Sequence, residues 1–193
     1  MKRQMTIGEY RGIDIFFFLL MMTVSETVIH TAATKWFPSQ PYTVSVVSAI
    51  VAIVLMRWNA YAAIPAAVGG LVTSLVSGAT KEQILIYMAG NLFSLISLAL
   101  MKALGKQRIC EDALLTVFFA ICTLLFMQAG RAIVALVLGA APKDCLGFFT
   151  TDALSGLFAA VILWIARRID GLFEDQKHYL LRIHREGEKE DAK

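Results

Sequence analysis

Residues 13–34 read IDIFFFLLMMTVSETVIHTAAT. A helix that crosses the hydrocarbon core of a membrane needs about 20 mostly apolar residues, and this stretch is long enough. Pro38 and Pro41 follow it, and a helix does not readily continue through proline. The stretch therefore predicts a first membrane span. The acidic Glu26 inside it requires a polar environment that lipid does not provide.

Five more apolar stretches follow along the chain. Of its 193 residues, 58% are hydrophobic and only 17% are charged, which is too apolar for an ordinary soluble domain. The sequence predicts an all-α, polytopic membrane protein with one six-helix transmembrane domain over residues 1–166. The predicted helices cover about 13–34, 42–56, 60–79, 84–101, 113–138 and 146–166. The net charge of +3 gives no indication of a nucleic-acid partner.

Basic residues are concentrated in alternate connections between the predicted helices. Lysine and arginine accumulate on the cytoplasmic side of membrane proteins. One side carries Lys2, Arg3, Arg11, Arg57, Lys102, Lys106, Arg108, Arg167 and Arg168, and the other carries Lys35, Lys81 and Lys143. We therefore expect both termini to face the cytoplasm. Residues 167–193 are predicted to form a short amphipathic cytoplasmic helix and a charged tail, which either lies at the lipid headgroups or docks a cytoplasmic partner.

The few strongly polar residues within the predicted helices fall at similar depths. A charge at the bilayer centre costs at least about 2.5–3.5 kcal/mol, so these residues should face the protein interior or water. Their spacing places Glu26 with His30 on one helix face, and Gln128 with Arg131 on another. We predict a small-molecule site near the outer side of the membrane, built from Glu26, His30, Asn91, Gln128, Arg131 and Asp152.

Each residue of this predicted site has an expected role. Glu26 and Asp152 are expected to meet a cationic group of the ligand, and Arg131 an anionic group. The amides of Asn91 and Gln128 would orient the ligand by hydrogen bonds. The loop that contains Trp36, Phe37 and Tyr42 is a predicted lid, although such aromatic residues also form interfacial belts.

Three other interpretations of the polar residues compete with a small-molecule site. Arg131 and a carboxylate could form a buried ion pair that only fixes helix packing. Glu26, His30 and Asp152 have the ligand types of a divalent metal site, but Arg131 would oppose a cation, so no metal is expected. The third interpretation is an intramembrane hydrolase with a serine nucleophile. No nucleophile motif surrounds any serine, so we expect no enzymatic activity.

The architecture resembles the substrate-binding S component of energy-coupling factor (ECF) transporters. The resemblance rests on chain length, six predicted helices with both termini inside, and two segments. These are Ala66-Ala67-Val68-Gly69-Gly70-Leu71 in the third helix and Tyr87-Met88-Ala89-Gly90-Asn91 in the fourth. It implies high-affinity uptake of a vitamin or related micronutrient across the plasma membrane of a prokaryote.

The resemblance also implies partners. An S component binds no cofactor itself and works with a transmembrane T subunit and two ATPases, which consume ATP; this chain has no Walker-type phosphate loop of its own. Many S components present an Ala-x-x-x-Ala motif on the first helix for the T subunit, and residues 13–20 lack it. Small residues of the third helix, Ala62, Ala66 and Gly70, are the expected substitute.

Two functions of other classes compete with the S component. One is a non-transporting structural or assembly partner in the membrane, whose polar groups stabilise helix packing. The other is a self-contained secondary carrier with Glu26 and His30 as a proton relay. Such carriers often contain inverted repeats, and residues 13–79 show no convincing similarity to residues 84–166.

Overall fold

In a computed structural model of the protein, residues 6–39, 43–169, 171–176 and 179 are described, and every regular element within these ranges is helical. The α-helices are α1 (Ile7–Trp36), α2 (Val47–Trp58), α3 (Ala63–Val76), α4 (Lys81–Asn91), α5 (Ser97–Leu104), α6 (Lys106–Glu111), α7 (Ala113–Val137), α8 (Pro142–Cys145), α9 (Gly147–Thr151) and α10 (Ala153–Ala166). Two 3₁₀ segments, Asn59–Ala62 and Leu92–Ile96, precede α3 and α5.

Five helical stretches are long and apolar enough to cross a membrane. They are Ile7–Trp36, Val47–Val76, Lys81–Leu104, Ala113–Val137 and Pro142–Ala166. The prediction of an all-α chain with several helices suited to a membrane is confirmed. The number differs from the six predicted because the second and third predicted helices fall within the single stretch Val47–Val76.

This stretch is a hairpin and not one straight helix. Asn59 has a φ of 53°, a left-handed conformation that turns the chain between α2 and α3. The backbone N–H of Val46, before α2, and the hydroxyl of Thr73, near the end of α3, both donate to the carboxylate of Glu26. The two helices are therefore antiparallel. With 12 and 14 residues they are about 18 and 21 Å long, each shorter than the hydrocarbon core of about 30 Å.

Helix α2 lies at the centre of the molecule. All of its residues are buried, and it packs against α1, α3, α7 and α10. Helix α1 lies at the periphery, and one of its faces exposes the large apolar side chains Phe16, Phe17, Leu20, Val24 and Val28. An apolar exterior around a buried central helix suits a protein surrounded by lipid.

Two glycines bring α4 and α7 into close contact. A Cβ added to Gly90 would lie 2.5 Å from the backbone nitrogen of Arg131, and one added to Gly130 would overlap the carbonyl of Gly90. Small residues of this kind allow helix backbones to approach closely in membrane proteins. The crossing sets Arg131 directly beside Tyr87 and Asn91 of α4.

A cluster of polar side chains, called the Arg57 clamp below, lies at the end of the bundle where α2 ends. The guanidinium of Arg57 donates two hydrogen bonds of 2.8 Å to the carboxylate of Asp14, and the indole N–H of Trp58 donates to the same carboxylate at 2.6 Å. Arg57 also donates to the carbonyls of Gly171 and Leu172. The start of α1 and the segment after α10 therefore lie at the same end of the bundle.

Several element boundaries differ from the prediction. Helix α1 begins before residue 13, because Thr6 and Glu9 form a reciprocal capping box at its start. The amphipathic helix predicted from residue 167 does not begin there. Residues 167–169 and 171–174 form turns and bends, in which Gly171 has a φ of 74° that does not fit a helix. Most of the remainder of the predicted C-terminal segment lies outside the described residues.

Candidate functional site

A cavity of about 180 Å³ opens at the end of the bundle opposite the Arg57 clamp. Residues in the C-terminal halves of α1, α3 and α7 line the cavity, and the segment before α2 forms one wall. The lining includes two carboxylates, a guanidinium, an imidazole and several hydroxyls. These polar groups belong to Glu26, Asp152, Arg131, His30, Thr34, Thr43, Ser45, Thr73, Ser77 and Tyr87.

Glu26 is the most enclosed acid of the cavity, with only 3% of its surface exposed. One carboxylate oxygen accepts hydrogen bonds from the hydroxyl of Ser45 and the backbone N–H of Val46, both at 3.1 Å. The other accepts from the hydroxyl of Thr73 at 2.9 Å. All three donors are neutral. Within the described residues, no basic side chain forms an ion pair with this carboxylate.

Asp152 and Arg131 form the ion pair of the site. One guanidinium nitrogen, Nη1, lies 2.6 Å from Oδ2 of Asp152, and the same oxygen accepts from the amide of Gln128 at 2.6 Å. The hydroxyl of Thr43 donates to the other carboxylate oxygen. Both oxygens of Asp152 are therefore engaged by protein donors, although the side chain lines the cavity.

The guanidinium of Arg131 is held from two further directions. Its Nε donates to the amide oxygen of Asn91 at 2.8 Å, and the amide of Asn91 in turn donates to the carbonyl of Ala66. The ring of Tyr87 lies against the cation, with 4.4 Å between the guanidinium carbon and the ring centroid. Nη2 makes no hydrogen bond to any described residue, so it is the atom of Arg131 that a ligand could still engage.

The six predicted site residues occupy two layers. Glu26, His30, Arg131 and Asp152 line the cavity. Asn91 and Gln128 do not, because they are fully or almost fully buried behind Arg131 and Asp152 and hydrogen-bond to them. Their position indicates that they orient other side chains of the protein, whereas direct contacts to a ligand were predicted. Glu26 and His30 share the cavity but not a hydrogen bond.

Sequence reasoning missed the polar residues of the segment before α2. Residues 43–46 lie outside any helix, which leaves the backbone N–H groups of Ser45 and Val46 available for side-chain acceptors. Ser45 donates its N–H to the hydroxyl of Ser155, which joins this segment to α10. The prediction that helix two begins at residue 42 concealed these donors.

The predicted lid is present only in part. Phe37 lines the mouth of the cavity together with Pro38, and its side chain is 61% exposed. Trp36 is 71% exposed and does not line the cavity. Tyr42, the third predicted lid residue, lies outside the described residues.

The residues predicted to dock a T subunit are enclosed by this chain. Ala62 and Ala66 have no exposed surface, and a Cβ added to Gly70 would lie 2.5 Å from the carbonyl oxygen of Tyr87. Ala66 and Gly70 lie at the contact of α3 with α4, where the carbonyl of Ala66 accepts a hydrogen bond from Asn91, and Ala62 is buried in the 3₁₀ segment before α3. At Ala66 and Gly70 the small residues allow close packing against a helix of the same chain, and the docking of a T subunit stays a prediction.

The fold and the cavity together are those of an all-helical chain, suited to a membrane, with a small polar cavity near one end. Comparison with protein-family models, with curated proteins and with solved structures finds no match to this chain. Among the described residues, no three histidine, cysteine or acidic side chains come together in a way that could hold a metal ion.

Proposed function

We propose that the protein is a six-crossing membrane protein that binds a small nutrient and serves as the specificity subunit of an ECF-type importer. The hairpin at Asn59 supports six crossings, since it gives α2 and α3 opposite directions. The basic residues support an orientation in which the Arg57 clamp and both termini face the cytoplasm. The cavity then opens near the outer face of a prokaryotic plasma membrane.

One observation carries this proposal. A cavity of about 180 Å³ is lined by Glu26, Arg131 and Asp152 at one end of the bundle. Charged groups within membrane segments are costly and mark sites of function. The absence of a phosphate-binding loop from the sequence fits a subunit that binds cargo while a T subunit and two ATPases supply the energy.

Ligand-induced stabilisation tests the proposal directly. The full chain, purified in detergent, is screened for a rise in melting temperature with vitamins, nucleobases, amino acids and amines, because a ligand that binds only the folded state stabilises it. Glu26→Gln should reduce the shift, whereas Glu82→Gln, an exposed acid in the first turn of α4, should not. Uptake assays with the T subunit and ATPases then separate transport from binding alone.

A structural role is the second candidate, and the saturation of Asp152 favours it. Arg131, Gln128 and Thr43 already satisfy this carboxylate, as expected for a buried pair that fixes helix packing. In that case Arg131→Ala lowers the melting temperature and no compound raises it. If a compound does raise it, and Glu26→Gln abolishes the rise, the structural role alone is excluded.

A further inference from the structure

The charges that line the cavity do not balance. Two carboxylates, Glu26 and Asp152, face one permanent cation, Arg131. When the two carboxylates and the guanidinium are counted in their charged forms, the formal charge of these three groups is −1. In a site enclosed by apolar helices, an uncompensated charge is costly, and a ligand of opposite charge would relieve that cost.

The imbalance can be assigned to Glu26. Arg131 and Asp152 neutralise each other at 2.6 Å, and both side chains are more than nine-tenths buried. Glu26, by contrast, receives only neutral donors. An ionised carboxylate offers about four lone-pair sites, and three are filled, so Oε1 can accept one more hydrogen bond.

The same pairing limits what Arg131 can do for a ligand. Its charge is already compensated by Asp152, and a ligand carboxylate placed against Nη2 would also approach the Asp152 carboxylate. A neutral oxygen acceptor, such as a hydroxyl, ether or carbonyl, avoids that repulsion and still satisfies the unpartnered N–H groups of Nη2.

We propose that the cavity binds a compact organic monocation, whose cationic group meets Glu26 and whose neutral oxygen accepts a hydrogen bond from Nη2 of Arg131. This inference rests on the proposed binding function and narrows its ligand class. The ligand is small, because the cavity of about 180 Å³ is smaller than the roughly 300–1,000 Å³ of sites that hold drug-sized ligands. A zwitterion with its own carboxylate is disfavoured.

Matched probes test the charge requirement on the unaltered protein. Choline, a cation with a hydroxyl, is compared with 3,3-dimethyl-1-butanol, its neutral carbon isostere, and with glycine betaine, the corresponding zwitterion. Primary amines and amidines of similar size are each paired with a neutral isostere. The readouts are the shift in melting temperature and calorimetric affinity. We expect at least one cation to bind at least tenfold more tightly than its neutral partner.

Variants then locate the cationic group. Glu26→Gln should weaken binding of that cation about tenfold or more, while Glu82→Gln should leave it unchanged. If Glu26→Gln fails to fold, the comparison of isosteres on the wild-type chain still decides the question.

Three results would overturn the inference. Preferential binding of neutral or anionic compounds would exclude the monocation and leave the proposed function in place. Tighter binding of zwitterions than of matched cations would show that Arg131 pairs with a ligand carboxylate. The assignment of the uncompensated charge to Glu26 would then be wrong. If no compound of any charge class binds, the inference and the proposed function fail together.

Discussion

Arg131 on α7 and Asp152 at the start of α10 form an ion pair of 2.6 Å in which both side chains are at least nine-tenths buried. The two residues are 21 positions apart in the chain, and two short helices lie between α7 and α10. The burial of the pair means that neither partner can be removed without leaving the other charge uncompensated.

Asp152→Asn should therefore destabilise the protein by about 3 kcal/mol or more, the usual cost of breaking one side of a buried pair. Thermal or denaturant unfolding in a fixed detergent measures the loss. Asp144→Asn, at an exposed acid near the same end, is the matched control and should have little effect. The double variant Arg131→Gln/Asp152→Asn should cost less than the sum of the two single changes, because the partners are coupled. Additive costs would contradict the pairing.

Gly90→Ala should be strongly destabilising. The added methyl would lie 2.5 Å from the backbone nitrogen of Arg131, so α4 and α7 would have to separate. The same change at Gly12, a helical position with open space around it, should be neutral or slightly stabilising, because alanine favours a helix by about 0.5–1 kcal/mol over glycine. Melting temperatures of the two variants, measured side by side, test the close crossing. Equal effects would argue against it.

The Arg57 clamp should support stability without affecting ligand binding. Arg57→Ala leaves the Asp14 carboxylate without its bidentate partner and frees the carbonyls after α10, so we expect a loss of about 3 kcal/mol. The dissociation constant of any cavity ligand, measured below the melting temperature, should not change, because the clamp lies at the other end of the bundle. Arg108→Ala, at an exposed position, is the control. Altered affinity in Arg57→Ala would indicate that the two ends are coupled.

Lys106, in the connection between two spans, should make stability depend on alkaline pH. Burial lowers the pKa of Lys106 below its ordinary value of 10.5, and the nearby Asp175 carboxylate at 3.6 Å only partly opposes this effect. Between the lowered folded pKa and the unfolded pKa, the unfolded chain binds more protons, so stability rises with pH across that interval.

Lys106→Met should abolish this rise, and Lys102→Met, at an exposed lysine, should retain it. Unfolding free energies of the three proteins between pH 7 and 10.5 provide the comparison. A parallel pH dependence in the wild type and Lys106→Met would show that another group is responsible.

The helical fold could be predicted because its signals are local. An apolar stretch of span length and a proline such as Pro38 each act within one or two helix lengths of the chain. The prediction did not use the capping-box pattern of Thr6-Ile7-Gly8-Glu9, which marks the start of α1 before residue 13. The two arms of the hairpin were predicted as separate helices, about 42–56 and 60–79, and Asn59, which turns the chain, lies between these ranges.

The sequence predicted which residues lie near one another at the site, but not how they pair. Shared depth identified Glu26, Arg131 and Asp152 as neighbours, but the choice of which acid pairs with Arg131 depends on the rotation of three helices about their axes. That rotation is set by contacts such as Gly90 against Gly130, which join residues distant in sequence. For the same reason, ligand contacts were predicted for Asn91 and Gln128, although both accept hydrogen bonds from Arg131 and neither lines the cavity.

The enclosed position of α2 has a consequence for how the protein is made. This helix is synthesised early, yet one of its sides is covered by α10, which follows it by about 95 residues and is the last helix labelled within the described residues. Until α10 has been synthesised, this side of α2 lacks the neighbour that covers it in the folded chain. A nascent chain that stops before residue 153 therefore leaves exposed a side of α2 that is buried in the folded protein.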